Sequence, residues 1–323
     1  PVFAAVGSLH MIGPRGLPAL MAQRGYRVER IALEAPGPDI NALWDYDDPA
    51  ASEARFRAAL ADTTNEATHD VALSLRTQIA RSFSLRRRFD EAQRELDAVD
   101  AELAGAGAEP RVRTLLERGR SWRSAGEPAR ARPLFLQAEQ LARTAKLEFL
   151  HVDALHMVAL VQTDPELQLD WTRRALAAAR AAADPQAHRW EASLNHNIGW
   201  HLHDAGRHEE ALQSFRAALA ARERDAAKPA RLREARWTVA RELRALGRHD
   251  EALALLRPLE AELASAGESD GFVPEEIGEN LLALGRAEEA RPHFARAHAQ
   301  LSRLDSVERP DEARLARLLS LSR

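Results

Sequence analysis

The sequence contains no cysteine, only two lysines, few aromatic residues and no long apolar run. The absence of cysteine excludes disulfide bonds and thiolate-bound metal sites. Because the only lysines are Lys146 and Lys228, arginine supplies nearly all of the 45 basic residues, which we interpret as a GC-rich bacterial coding bias. No stretch approaches the roughly 20 apolar residues that a membrane-spanning helix needs, so we expect no membrane span.

The charge of the chain is nearly balanced, at −4 over 323 residues. A balanced total gives no electrostatic reason to bind nucleic acid, so we expect no nucleic-acid partner. The sequence starts at Pro1 inside an apolar stretch that does not have the pattern of a signal peptide. We therefore expect a cytoplasmic protein whose original beginning was removed by processing or truncation.

The residues that are abundant favour helices. The chain is 45% hydrophobic but only 5% aromatic, so alanine and leucine must fill most of its core. Alanine, leucine, arginine and glutamate lose little side-chain freedom on a helical backbone. The composition therefore predicts a mainly helical protein.

A pattern of small and bulky residues recurs along the chain. A small residue is followed 12 positions later by alanine and 16 positions later by phenylalanine or leucine. The five copies are Gly119/Ala131/Phe135, Gly199/Ala211/Phe215, Gly278/Ala290/Phe294, Ala80/Ala92/Leu96 and Ala240/Ala252/Leu256. In four copies a glycine stands five residues before the later alanine, namely Gly126, Gly206, Gly247 and Gly285. In the remaining copy this position is Arg87.

This spacing predicts a helical hairpin in each copy. The two small residues let two helices approach closely, and the bulky residue one turn further on fills the groove beside them. The glycine ends the first helix in the left-handed conformation, and acidic residues after it favour the start of the second helix. A single hairpin cannot bury its own apolar face, so the copies must stack on one another.

These residues resemble the tetratricopeptide repeat (TPR) family over residues 66–303. A diverged sixth copy fits residues 151–180, and the spacing of 38 to 43 residues exceeds the family's typical 34 or so. The resemblance implies an all-α, right-handed superhelical solenoid of six helical hairpins. We predict a repeat domain over residues 48–323 with a capping helix at each end, the first capped by Asp48, and a linker over residues 34–47.

The first 33 residues have a different pattern. They predict a strand, a short helix over residues 16–24 that ends at Gly25, and a second strand over residues 27–31. Gly7-Ser8-Leu9-His10 and the residues after it resemble the C-terminal end of the TraB/GumN (Tiki-like) family, some of whose members are metal-dependent proteases. The resemblance implies a partial domain in which His10 is a ligand or catalyst only in a longer parent protein. The alternatives are an inert remnant or a mis-joined reading frame.

Four residues of one predicted first helix are candidates for ligand binding. His196, Trp200 and His203 lie at positions i, i+4 and i+7, and Asn197 lies beside them. The TPR resemblance implies that first helices line a concave groove and that Asn197 holds peptide backbone. The alternative is that Trp200 packs between adjacent hairpins. We predict no metal site, because the sequence places no carboxylate or third histidine to complete the ligand set.

Arginines in the first helices predict an acidic partner. Because the guanidinium pairs with carboxylates in a bidentate manner, these residues suit an acidic peptide. The candidates are Arg81, Arg113, Arg120, Arg123, Arg241 and Arg244, with Trp237 beside the last two. The alternative is that they are solvated surface residues.

No motif for catalysis or for a cofactor stands out in the sequence. We therefore predict a non-enzymatic scaffold, without cofactors, that binds a protein or peptide segment in the groove. The alternative is a fragment of a TraB/GumN-like metal-dependent hydrolase fused to TPR repeats.

Overall fold

The computed structural model describes residues 20–21, 24–25, 38–63, 68–225, 228–304 and 310–323. Its contacts divide the chain into two compact parts, residues 1–42 and 43–323. The predicted strands of the opening segment and His10 lie outside the described residues. Leu20 and Met21 are helical, and Gly25 has φ 82°, the left-handed conformation expected of a glycine that ends a helix.

The second part consists of helices. In chain order they are α1 (Pro49–Ala61), α2 (His69–Leu85), α3 (Phe89–Glu102), α4 (Ala108–Ser124), α5 (Pro128–Thr144), α6 (Glu148–Ala159), α7 (Pro165–Ala181), the four-residue α8 (Pro185–His188), α9 (Trp190–Asp204), α10 (His208–Arg224), α11 (Pro229–Ala245), α12 (His249–Ala266), α13 (Phe272–Ala283), α14 (Ala287–Leu301) and α15 (Glu312–Leu321). A 3₁₀ helix, Ile40–Leu43, lies across the boundary between the two parts. None of the helices in the described stretches is both long and apolar enough to cross a membrane.

Twelve of these described helices form the six predicted hairpins. Hairpins one to six are α2–α3, α4–α5, α6–α7, α9–α10, α11–α12 and α13–α14, and each packs on its neighbours along the chain. The diverged sixth copy is hairpin three, whose helices are joined by a longer turn. The prediction of an all-α fold is therefore confirmed for the repeat region.

The turns inside five of the six hairpins, those other than hairpin three, use a left-handed residue, as predicted. Gly206, for example, has φ 71°, and a Cβ added there would meet nothing within 4 Å. A side chain would have enough space at this position, but the left-handed backbone conformation disfavours residues other than glycine. Arg87 takes the same conformation, with φ 59°, so the turn of hairpin one carries a steric cost that the glycine turns avoid.

The small residues of the repeat lie in the interfaces between helices. The five alanines of the second helices, Ala92, Ala131, Ala211, Ala252 and Ala290, are buried. Opposite Ala211, a Cβ added to Gly199 would lie 2.5 Å from Cε1 of Phe215, which is itself buried. The phenylalanine ring therefore occupies the space that the missing side chain leaves.

Capping helices cover both ends of the stack. Oδ1 of Asp48 accepts a hydrogen bond from the amide of Ala51 at 2.9 Å, which confirms Asp48 as the N-cap of α1. At the other end, α15 buries Leu315 and Leu318. Trp44, in the predicted linker, also contacts the first hairpin, because its Nε1 donates a hydrogen bond to Oε1 of Gln78 in α2 at 3.0 Å.

Candidate functional site

The predicted histidines and tryptophan of α9 lie together on one face. Trp200 Nε1 donates a hydrogen bond to Nε2 of His196 at 3.0 Å. The Trp200 ring meets the rings of His203 and Phe215 edge-on, each with a centroid distance of 5.3 Å. Trp200 therefore packs inside its own hairpin and also remains partly exposed on the first-helix face.

The next first helix, α11, extends this surface. The Arg241 guanidinium lies 5.8 Å from the centroid of Trp200 and 5.6 Å from that of Trp237. We call Trp200, Arg241 and Trp237 the indole patch. The Arg241 side chain is 32% exposed, its Nη1 is 3.9 Å from Oε2 of Glu276, and its buried Nε has no hydrogen-bond partner among the described residues. Arg241 is therefore held by two indoles with much of its hydrogen-bonding capacity unused.

A polar cavity of about 530 Å³ lies on one side of the patch. His196 and Asn197 line it together with Arg222, whose Nη1 donates to Oε2 of Glu234 at 3.0 Å. Burial lowers the pKa of His196, although the charge of Glu234 opposes the shift. A lowered pKa keeps the ring neutral, which agrees with Nε2 accepting the indole N–H of Trp200.

A second cavity, of about 460 Å³, lies on the other side of Trp237. Its apolar lining comes from Trp237, Leu263, Phe272 and Leu304, and Glu234 lines both cavities. The Trp237 Nε1 donates to the carbonyl oxygen of Phe272 at 3.3 Å, which fixes the indole at the cavity wall. The first-helix face thus offers an apolar recess and a polar recess on either side of one acidic side chain.

Most of the other predicted arginines pair with acids that the sequence analysis did not single out. In three hairpins an arginine of the first helix pairs with a buried acid on the next first helix: Arg81–Glu117, Arg120–Asp153 and Arg244–Glu276. Although burial raises it, the pKa of Asp153 is lowered overall, because the charges of Arg120 and Arg81 favour the carboxylate. These three arginines join neighbouring hairpins, so the acids of the chain itself already take the place that the sequence analysis expected an acidic partner to fill.

The two remaining predicted arginines are in hairpin two. Nε of Arg113 donates to Oε1 of Glu109 on its own helix at 2.8 Å. Arg123 is exposed near the end of α4. Arg120 and Arg123 therefore belong to a different hairpin from the indole patch, and their contacts do not join them to it.

His203 has a carboxylate partner that the sequence analysis did not anticipate. Nδ1 of His203 lies 2.6 Å from Oε2 of Glu242, and Nδ1 of His208 lies 2.7 Å from Oε1 of the same side chain. The expectation that no carboxylate stands beside His203 was wrong because Glu242 follows 39 residues later, on the adjacent first helix. The stacking of hairpins four and five brings these groups together. The local sequence pattern does not specify the register of that stacking.

No family model matches the chain, and no curated protein matches it either. Among solved structures, the apo form of RapI is similar over 88% of this chain and 84% of its own, with a TM-score of 0.67 and 12% identity. PH0952 from Pyrococcus horikoshii, a signal transduction ATPase with a tetratricopeptide repeat sensor, is similar over 85% of this chain and 42% of its own, with a TM-score of 0.63 and 12% identity. The apo quorum sensor NprR from B. thuringiensis is similar over 87% of this chain and 78% of its own, with a TM-score of 0.57 and 16% identity.

These likenesses concern the helical repeats. None of the comparisons supports the resemblance of residues 1–33 to the TraB/GumN family. Identities of 12 to 16% establish the fold alone. Together with the six stacked hairpins, they show that this chain has the fold of a right-handed tetratricopeptide-repeat solenoid.

Proposed function

We propose that this chain is a scaffold that binds, without catalysis, a protein or peptide segment carrying a carboxylate, and that the indole patch is the centre of its binding surface. The carrying observation is Arg241, a partly exposed guanidinium between two indoles whose Nε has no hydrogen-bond partner among the described residues and whose Nη1 is 3.9 Å from its nearest acid, Glu276. Two of the similar solved structures are described as sensors, PH0952 and NprR, which agrees with a role of such repeats in recognising a binding partner.

The surroundings of Arg241 prepare it for a carboxylate. Its nearest acid, Glu276, is already bonded by Arg244, so the charge of that acid is shared. The flanking indoles hold the guanidinium by cation–π contact and reduce the side-chain freedom that binding costs. A carboxylate that approaches from solvent can take two N–H groups of Arg241 at once.

The two cavities supply the remaining contacts for an extended segment. The recess at Trp237, Leu263 and Phe272 suits an apolar side chain of the bound segment, because apolar walls with a few polar groups typify ligand pockets. On the other side of the patch, Asn197 lines the polar cavity, and we expect its amide to bond the backbone of the segment. Aromatic and arginine residues are also the types that most often dominate binding energy at interfaces.

The test is a binding selection with short synthetic peptides in two matched libraries, one containing aspartate and glutamate and the other asparagine and glutamine at the same positions. We expect the wild-type chain to enrich the acidic library. Arg241→Gln should weaken binding of the enriched peptides by about tenfold or more, because a charge-assisted hydrogen bond is worth roughly 1.5–3 kcal/mol. Binding should also weaken as salt rises.

Arg123→Gln is the matched control, since Arg123 is an exposed first-helix arginine that lies outside the indole patch. It should leave the affinity unchanged, and circular dichroism should show equal helicity in all the chains. Preferential enrichment of the neutral library would contradict the proposed partner chemistry. Equal losses from Arg241→Gln and Arg123→Gln would contradict the proposed location.

A further inference from the structure

We propose that His203, His208 and Glu242 bind a divalent transition-metal ion of the Zn²⁺ class at the interface between hairpins four and five. One ligand atom from each residue lies within 4.8 Å of the other two. The residues come from three helices, α9, α10 and α11, so an ion bound there joins both helices of one hairpin to the next. This site is distinct from the indole patch, and its existence does not depend on the proposed function.

The donor set suits zinc. Two imidazoles and one carboxylate are a common protein ligand set for Zn²⁺ that leaves a fourth position for water. Bond lengths of about 2.0–2.1 Å in a tetrahedral site place donors roughly 3.3 Å apart. The two Nδ1 atoms are now 2.6 and 2.7 Å from the Glu242 oxygens, so a small outward movement of the rings makes room for the ion. Each Nδ1 gives up its proton to present a lone pair, and the neutral ring then carries its proton on Nε2.

Burial of Glu242 gives this cluster its driving force. The residue is fully buried, and within the described part of the chain its carboxylate bonds only to the two histidines. A buried carboxylate requires compensating positive charge or strong donors, and a divalent cation supplies both. The histidine side chains are 19% and 33% exposed, which provides a path for the ion from solvent.

The next interface of the same solenoid provides an internal comparison. There, His249 stands where His208 does, and its Nδ1 lies 3.1 Å from Oδ1 of Asn280, the counterpart of Glu242. The counterpart of His203 is Arg244, which bonds Glu276 instead. Hairpins five and six are thus joined by a histidine–amide contact and an arginine–glutamate pair. Only the earlier of these two interfaces gathers two histidines around one buried carboxylate, which is the donor set that a metal ion needs.

Metal binding at this position affects the surface next to it. The His203 ring contacts Trp200 with a centroid distance of 5.3 Å, so fixing His203 also fixes one wall of the indole patch. Because Trp200 reports on its surroundings by fluorescence, occupation of the site is expected to change the indole emission.

The test uses the full chain without an affinity tag, titrated with ZnCl₂ by calorimetry and with CoCl₂ by visible absorption. We expect one ion per chain and the intense visible bands of tetrahedral Co²⁺. His208→Asn and Glu242→Gln should each weaken binding by about 100-fold or more, because each removes one of three protein ligands. His249→Asn, at the matching position of the next interface, should leave the affinity unchanged.

Circular dichroism identifies any variant that loses its fold. If Glu242→Gln unfolds the chain, His208→Asn decides the question, because His208 is the more exposed ligand at the start of α10. Absence of stoichiometric binding to the wild-type chain would overturn the proposal. So would equal affinities for wild type, His208→Asn and His249→Asn, which would show that scattered surface histidines bind the ion.

Discussion

The contact between Gly199 and Phe215 predicts a specific exchange of residues. A Cβ on Gly199 would lie 2.5, 2.6 and 2.8 Å from Cε1, Cδ1 and Cζ of the Phe215 ring. The ring is buried, and it packs edge-on against His196 and Trp200, with centroid distances of 5.8 and 5.3 Å, so it has little room to move. Gly199→Ala should therefore destabilise hairpin four.

The expected magnitude combines two opposing effects. Overpacking of a core typically costs about 1–3 kcal/mol, whereas alanine in place of glycine gains roughly 0.5–1 kcal/mol inside a helix. The net loss for Gly199→Ala should be about 1–2 kcal/mol. Phe215→Leu should also cost about 1–2 kcal/mol, because it removes buried ring atoms and leaves a cavity.

The double variant Gly199→Ala/Phe215→Leu should recover most of the stability. Hairpin five already has this pairing, with Ala240 opposite Leu256, and both residues are fully buried there. The smaller side chain leaves the space that the new methyl group fills. The two changes should therefore couple favourably by about 1–3 kcal/mol.

Hydrogen exchange measured on peptides from α9 and α10 gives the local opening free energy of hairpin four, which suits a repeat protein better than a single global midpoint. The double variant should exchange more slowly than either single variant. Losses that simply add in the double variant would refute the close-packing explanation.

Three further predictions concern other parts of the solenoid. Ala211→Arg should cost several kcal/mol, because it places a charged side chain at a fully buried position, and an unchanged melting curve would argue against that burial. Arg87→Gly should stabilise hairpin one by up to about 1 kcal/mol by relieving the left-handed conformation, as measured by hydrogen exchange in α2 and α3. Burial lowers the pKa of His156 to about 4. As the pH falls, the His156 ring therefore takes up a proton in the unfolded chain before it does so in the folded chain. The free energy of unfolding should fall by up to about 3 kcal/mol as the pH drops from about 6.5 to 4. Denaturation at several pH values should show a smaller fall in His156→Gln, and equal falls would exclude this residue as a cause.

The helices and their hairpins could be predicted from the sequence because their determinants are close together in the chain. In the five hairpins that carry the pattern, the glycine or arginine of the turn and the small residues on either side of it lie within 12 positions of one another. Ala211, for example, is opposite Gly199 whatever the rest of the solenoid does. The aromatic part of the candidate site was predictable for the same reason, since His196 and Trp200 are one helical turn apart.

The partners of the polar residues could not be predicted, because they depend on how successive hairpins are rotated and shifted. Arg120 reaches Asp153 across 33 residues, and His203 reaches Glu242 across 39. The sequence pattern places these residues on the correct faces but does not give the register between hairpins. Arg120 was therefore predicted to face a ligand, although the structure pairs it with a buried acid.

The differences between the interfaces bear on the fidelity of folding. Similar neighbouring repeats can pair out of order or exchange hairpins between chains, which is a common failure of repeat proteins. In this chain, hairpins two and three are joined through Arg120 and Asp153, whereas hairpins four and five are joined through two histidines and Glu242. A hairpin that docked in the wrong place would bury a carboxylate without its partner, and such a charge destabilises by several kcal/mol. The polar interfaces thus make the order of the hairpins along the stack a thermodynamic property of the sequence, so that a chain with two hairpins exchanged should misassemble even though every helix is retained.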